Sequence, residues 1–221
     1  MDRVRKGGDD ATAALEELCR AYWFPLYGWA RRSGRSPADS EDAVQGFFSD
    51  VVRKQSFARA EEEKGRLRTF LLTAFRRYQR DLYDKANAEQ RGANRLVSFD
   101  AMAGEESYLA EEAGAATPEA FYDRQWARSV LGMAITRLAA EYTKRGKRDD
   151  FERLQRYLTE TGEAGYQRDA AALGMTEGAV KVSVHRMRDR FREALREEVA
   201  SMQDEQEDVD EELGYLLQAL G

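Results

Sequence analysis

The stretch YQRDAAALGMTEGAVKVSVHRMRDRFREALREEV, residues 166–199, contains the strongest local pattern in the chain. Ala170, Gly174 and Val180 follow one another at offsets of four and six residues. A helix-turn-helix needs a small residue where its two helices cross, a glycine in the turn and an apolar anchor on the second helix. Gly174 can adopt the left-handed backbone that ends a helix, and Thr176 is a natural N-cap for the next. The stretch therefore predicts a helix-turn-helix.

The second helix of this motif has one apolar face and many charged residues elsewhere. Its predicted buried residues recur at helical spacing: Val180, Val184, Met187, Phe191 and Leu195. The residues predicted to point outward are Glu177, Lys181, Ser183, His185, Arg186 and Arg188. Long basic side chains on such a helix can reach phosphates and guanine edges in a major groove. The pattern favours DNA binding, and the alternative is an ordinary helical hairpin with a charged face.

Helical periodicity continues through most of the remaining chain. Helix-forming residues greatly outnumber β-branched residues, the chain has three prolines, and no alternating strand pattern is present. Helices are predicted over about 11–32, from near Pro37, over Leu67 to Arg91, from Pro118 onward, and over about Asp149 to Thr161. We therefore expect an all-α fold.

The net charge of −6 is unevenly distributed. Residues 66–95 contain eight basic and three acidic side chains, and residues 181–196 contain six and two. By contrast, residues 100–123 carry seven acids and no base, and residues 197–212 carry nine acids and no base. Two basic islands between acidic segments suggest two phosphate-facing surfaces, although solvated helix faces can have the same composition.

Several classes of protein are disfavoured by the composition. Cys19 is the single cysteine, which excludes a disulfide framework and favours a reducing cytoplasm. The sequence contains no run of about 18 apolar residues, so we expect no membrane span. The N-terminal MDRVRKGGDD is not followed by the apolar segment typical of a signal peptide. His185 is the single histidine and no phosphate-binding GxxxxGK[ST] loop is present. We therefore expect a protein that is not an enzyme and that requires no metal or other cofactor.

Three segments together resemble a known family, the extracytoplasmic-function sigma factors of bacterial RNA polymerase. TEGAVKVSVHRMRDRFREAL (176–195) resembles region 4, which reads the −35 promoter element. DSEDAVQGFFSDVV (39–52) is similar to the region 2 segment that docks on the coiled coil of the polymerase β′ subunit. GRLRTFLLTAFRRYQRDLYDK (65–85) resembles the part of region 2 that melts and reads the −10 element. The resemblance covers about residues 10–199.

The resemblance implies a transcription initiation factor with two small helical domains. These are a region 2-like domain over 1–95, an acidic linker over 96–118, a region 4-like domain over 119–199, and an acidic amphipathic extension over 200–221. The implied partners are core RNA polymerase, through its β′ and β subunits, promoter DNA and an anti-sigma factor. A stand-alone helix-turn-helix regulator of duplex DNA is the main alternative, and a helical adaptor for protein partners is another.

Site residues follow from the same resemblance. The implied polymerase contacts, a carboxylate cluster beside exposed aromatics, are Asp39, Glu41, Asp42, Gln45 and Phe48. The three carboxylates among them, Asp39, Glu41 and Asp42, are also explained by ordinary charging of a helix N-terminus. The implied −10 contacts are Lys64, Gly65, Arg66, Arg68, Arg76, Arg77, Arg80 and Lys85. The implied −35 contacts are Thr176, Glu177, Lys181, Ser183, His185, Arg186, Arg188 and Arg190.

The C-terminal extension goes beyond the family pattern. An acidic stretch precedes an amphipathic series formed by Val209, Leu213, Leu216, Leu217 and Leu220. We hypothesise that this tail docks on one of the domains and modulates access to DNA or polymerase in cis. A helix that merely caps the region 4-like domain is the alternative.

Overall fold

The computed structural model describes residues 9–54, 67–88, 105, 108, 117–159, 165–202 and 207–221. Its helices are α1 (Asp9–Arg32), α2 (Pro37–Lys54), α3 (Leu67–Ala88), α4 (Pro118–Lys144), α5 (Arg148–Leu154), α6 (Tyr166–Leu173), α7 (Glu177–Ser201) and α8 (Glu207–Leu220). A 3₁₀ turn, Gln155–Leu158, follows α5 directly. The described residues form no strand, which confirms the predicted all-α class. Within the same residues, no helix combines the length and the apolar character that crossing a membrane would require.

The chain divides into two compact units. Unit 1 comprises Met1–Ser129 together with Ser201–Gly221, and unit 2 comprises Val130–Ala200. The division therefore falls inside α4, whereas the sequence placed the domain boundary in the 96–118 segment. Most of that segment lies outside the described residues. The C-terminal helix α8 groups with unit 1 and not with the helix-turn-helix.

Unit 1 has an aromatic core built from α1, α2 and α3. Tyr22 and Leu26 of α1 are buried, as are Phe47 of α2 and Phe75 of α3. The ring centroids of Phe47 and Phe75 lie 5.2 Å apart in an edge-on arrangement, which is favourable for aromatic pairs. Cys19 of α1 is half-buried, and burial, with a smaller effect of Glu16, raises the pKa of its thiol to about 11.

Unit 2 packs the two helices of the predicted motif on a separate core. Val180, Val184 and Met187 of α7 are buried together with Tyr142 of α4 and Tyr157 of the 3₁₀ turn. The same cluster contains Leu138, Phe151, Leu154, Tyr166 and Ala170. The apolar face predicted for α7 is therefore confirmed at its first three positions, while Phe191 and Leu195 are half-buried.

Candidate nucleic-acid interface

The turn between α6 and α7 has the predicted geometry. Gly174 ends α6 with φ 63° and ψ 31°, in the left-handed region that favours glycine. The amide of Met175 donates to the carbonyl of Ala170 at 2.9 Å, closing the end of α6. The Thr176 hydroxyl oxygen accepts from the amide of Ala179 at 3.2 Å and so caps α7. Both local predictions for this turn are confirmed.

A buried carboxylate ties α6 to the segment that precedes it. Asp169 is 1% exposed and accepts hydrogen bonds from the Tyr157 hydroxyl and from Nη2 of Arg156, each at 2.6 Å. Burial, together with the hydrogen bond to Asp169, raises the pKa of Tyr157. A paired and hydrogen-bonded carboxylate is the usual form in which such a charge is tolerated in a core. The network fixes the orientation of α6 from within unit 2.

The outward face of α7 carries most of the predicted contacts. Thr176, Glu177, Lys181, His185 and Arg186 are all exposed. Nδ1 of His185 lies 2.9 Å from Oδ2 of Asp189, one helical turn away. An exposed series of this kind on the second helix of a helix-turn-helix is the arrangement that can enter a major groove.

The other three predicted contacts on α7 are less accessible. Ser183 is half-buried. Nε of Arg188 donates to the backbone carbonyl of Tyr157 at 2.9 Å, so this arginine stabilises the motif in addition to any outward role. The guanidinium of Arg190 lies 5.9 Å from the centroid of the Tyr142 ring. Both arginines are half-buried, so the prediction that Arg188 points outward is only partly met, and Arg190 is less accessible than a −35 contact was expected to be.

One residue of this face was not anticipated. Val182 is 49% exposed, between Lys181 and Ser183. An apolar side chain on a recognition helix can contact the methyl group of thymine. The sequence indicated the exposure of Val182 only through its position outside the apolar face formed by Val180, Val184 and Met187.

The basic helix α3 presents a second set of cations in unit 1. Arg77 and Arg80 are exposed. Arg76 is ion-paired with Glu119, and its guanidinium lies 5.3 Å from the Trp29 ring centroid. Tyr83, 66% exposed, was missed by the sequence reasoning, although it lies seven residues from Arg76 and therefore on the same helical face.

Part of the predicted −10 site cannot be compared with the structure. Lys64, Gly65 and Arg66 lie outside the described residues, and so does the side chain of Lys85. Among the aromatic residues of α3, Phe75 is buried and Phe70 is half-buried. Tyr78 is also half-buried, with its ring 5.8 Å from that of Phe47.

The prediction that Arg68 faces DNA is wrong for this structure. Arg68 is 6% exposed, and its Nε donates to Oε1 of Glu212 at 3.0 Å. Its Nη1 donates to Oδ1 of Asp123 at 2.6 Å. Burial lowers the pKa of the guanidinium, but the charges of Glu212 and Asp123 outweigh that effect and the pKa is raised. Two carboxylates distant in sequence thus hold the arginine inside unit 1.

Helix α8 completes this buried cluster. Glu212 is fully buried, and the Tyr215 hydroxyl donates to Oδ2 of Asp123 at 2.6 Å. The Tyr215 ring centroid lies 3.7 Å from the Arg68 guanidinium, and Trp126 lies 5.2 Å away. Val209 and Leu216 of α8 are also buried. The C-terminal helix is therefore an integral part of unit 1.

The acidic start of α2 is exposed but its aromatic is not. Asp39 and Asp42 are exposed, and Glu41 accepts a 2.9 Å hydrogen bond from Nε2 of Gln45. The Ser36 hydroxyl oxygen accepts from the amide of Asp39 at 3.1 Å, as an N-cap does. Phe48 is 6% exposed and packs 5.6 Å from the Phe47 ring, so its expected exposure is wrong.

Comparison of the chain with protein-family models, curated proteins and solved structures found no match. Among the described residues, no three His, Cys, Asp or Glu side chains are grouped as metal ligands would be. In the part of the chain that the structure describes, the helix-turn-helix and the charged surfaces of α2 and α3 are the features that bear on function.

Proposed function

We propose that this chain is a transcription initiation factor of the extracytoplasmic-function sigma type, which binds core RNA polymerase and directs it to promoters. The observation that carries the proposal is the helix-turn-helix of unit 2, with its capped turn and the exposed series Lys181, His185 and Arg186 on α7. Such a helix can present long basic side chains to base edges and phosphates. In this proposal α7 reads the −35 element.

The surfaces of unit 1 support the polymerase and −10 parts of the proposal. Asp39 and Asp42 form an exposed acidic start to α2, which suits a basic partner surface. Arg77 and Arg80 expose positive charge on α3, and Tyr83 adds an exposed aromatic ring. Cations beside an aromatic ring are the usual elements of a surface that binds single-stranded nucleic acid.

The contacts of α8 support modulation by the C-terminal extension. Glu212 holds Arg68, which the family resemblance assigns to the −10 contacts, in a buried ion pair. In this proposal, movement of α8 away from α3 removes Glu212 from Arg68 and uncovers the guanidinium, which keeps only Asp123 as an ion-pair partner. Docking of α8 therefore weakens interaction with the opened promoter strand.

The C-terminal proposal is tested by reversing the charge of Glu212. Glu212→Lys places a cation next to Arg68 and is expected to release α8, which should increase binding of holoenzyme to a promoter with an opened −10 strand. Glu211→Lys changes charge equally at the exposed neighbouring position and is the matched control. If the two variants bind the promoter with equal affinity, α8 does not modulate promoter binding through Glu212.

A stand-alone regulator of duplex DNA is the second candidate. A specific observation favours it: Arg68 and Phe48, which the resemblance assigns to promoter and polymerase, are both buried. In that case the helix-turn-helix alone would bind duplex DNA, and the charged surfaces of unit 1 would contact neither polymerase nor the −10 element. Binding to polymerase separates the two candidates.

The test is co-purification of the full chain with core RNA polymerase, followed by promoter-dependent transcription. We expect stoichiometric binding by the wild-type chain and strong loss in Asp42→Arg, because the reversal places a cation in the acidic surface of α2. Glu16→Arg is the matched control, since Glu16 is exposed on α1 and its ion pair with Arg20 is long and solvated. Duplex binding without any polymerase binding would instead establish the stand-alone regulator.

A further inference from the structure

The end of α4 places two basic residues on either side of one glycine. The amide of Gly146 donates to the carbonyl of Thr143 at 3.0 Å, and the amide of Lys147 donates to that of Tyr142 at 2.9 Å. Gly146 has φ 68°, so this is the paired hydrogen-bond pattern that closes a helix through a left-handed residue. The backbone positions of Arg145 and Lys147 are therefore fixed by the cap.

These two residues line a cavity whose other wall is α7. Its volume is about 140 Å³, well above the roughly 10–15 Å³ that one water needs, so it can admit a phosphate group. The α7 residues that line it are Ser183, Arg186 and Arg190. Tyr142, Asp150 and Leu154 complete the lining, so the cavity brings together four basic residues, one carboxylate and two hydroxyl-bearing residues from segments about 40 residues apart.

The charge of this cavity is only partly neutralised within unit 2. Nζ of Lys147 lies 3.6 Å from Oδ2 of Asp150, and Nη2 of Arg145 lies 3.7 Å from Oε2 of Glu141. Both ion pairs are long, and the two basic side chains are about half exposed. Four cations against these two carboxylates leave a net charge of +2, which is opposite in sign to a phosphodiester and more than neutralises its single negative charge.

We infer that this cavity is a phosphate cradle that binds a phosphodiester of the DNA whose groove α7 reads. The inference rests on the proposed DNA-binding function and extends it to Arg145 and Lys147, which the sequence reasoning did not select. Ser183 and Arg186 belong to α7, so a phosphate held in the cradle lies directly beside the residues that face the bases. The guanidinium groups can bind phosphate oxygens in pairs, which fixes the register of α7 without reading sequence.

The test measures how the affinity of the full chain for mixed-sequence duplex DNA depends on salt. The double variant Arg145→Gln/Lys147→Gln removes two cradle cations, and the control Lys144→Gln/Arg148→Gln removes two exposed cations of the same segment that do not line the cavity. The slope of log affinity against log salt is negative, and loss of one phosphate contact reduces its steepness by about 0.9. We expect this fall in steepness in the cradle variant, a smaller change in the control, and an unchanged preference among sequences.

Three other results would contradict the cradle or the proposed function. An unchanged slope in the cradle variant, or an equal fall in both double variants, overturns the cradle and leaves the proposed function intact. Capture of inorganic phosphate without DNA, lost in the cradle variant while duplex binding stays normal, identifies a small-anion site instead. Absence of salt-dependent duplex binding by the wild-type chain, alone or with polymerase, removes the DNA-binding function itself.

Discussion

Replacing Arg68 with methionine tests whether the buried charge cluster stabilises unit 1. Arg68 lies between Glu212 and Asp123 at 3.0 Å and 2.6 Å. Methionine keeps an apolar stem of similar length but leaves two carboxylates without their shared cation, and the side chain of Glu212 is fully buried. We therefore expect strong destabilisation of unit 1 by Arg68→Met.

The expected magnitude follows from the number of charges left unpaired. Removing one partner of a buried ion pair costs about 3–5 kcal/mol, because the remaining charge stays out of water. Glu212→Gln leaves the Arg68–Asp123 pair and keeps an acceptor for Nε of Arg68, so it exchanges a charged hydrogen bond for a neutral one and costs about 1 kcal/mol. The predicted order is therefore a larger loss for Arg68→Met than for Glu212→Gln.

Tryptophan fluorescence during urea unfolding measures this difference. The three tryptophans, Trp23, Trp29 and Trp126, all belong to unit 1, so the signal reports the unfolding of that unit. Trp126 also lies 5.2 Å from the Arg68 guanidinium and is sensitive to the cluster itself.

Two results would refute the reasoning about this cluster. One is a loss below about 1 kcal/mol for Arg68→Met, which is the range of a solvated surface pair. The other is a larger loss for Glu212→Gln than for Arg68→Met. In the double variant Arg68→Met/Glu212→Leu, fewer charges remain buried, so we expect part of the lost stability to return.

Four further predictions concern other parts of the two units. Tyr83→Ala should weaken binding of a single-stranded oligonucleotide by about 1–3 kcal/mol while duplex affinity stays unchanged, because the exposed ring is expected to stack on a base. Gly174→Ala should destabilise unit 2 by about 1–2 kcal/mol in circular-dichroism melts, since φ is +63° and no neighbouring atom would meet the added methyl. Gly132→Ala, in the interior of α4, should stabilise the same unit by about 0.5–1 kcal/mol. Hydrogen bonds from Arg31 lower the pKa of Glu105 below its usual 4.5. The ionised Glu105 therefore stabilises unit 1 above pH 4.5, and this stabilisation is lost as the pH falls through the lowered pKa. Glu105→Gln should make the free energy of unfolding, measured by urea titration, less dependent on pH in the acid range.

Each of these predictions has an outcome that contradicts it. Equal losses on single-stranded and duplex DNA would show that Tyr83 does not stack on an unpaired base. Destabilisation of similar size by both glycine replacements would show that backbone conformation is not the cause. An acid-unfolding profile unchanged by Glu105→Gln would show that another carboxyl group governs the pH dependence.

Local features of the site were predictable because they depend on close neighbours in sequence. The C-terminal end of α6 and the start of α7 depend on Ala170, Gly174, Thr176 and Ala179, which lie within ten residues of one another. The apolar face of α7 follows equally from helical periodicity. The cradle was not predictable, because Arg145 and Arg186 approach a common cavity only through the packing of α4 against α7.

The amino-acid sequence by itself determined the helical class, the helix-turn-helix and the separation of basic from acidic segments. Only the tertiary structure decided which charges remain on the surface. Arg68 resembles any other basic residue of an amphipathic helix, yet its partners Asp123 and Glu212 lie 55 and 144 residues further along the chain. Periodicity and capping involve neighbours within about one helical turn, whereas burial depends on contacts between distant segments, and no local pattern contains that information.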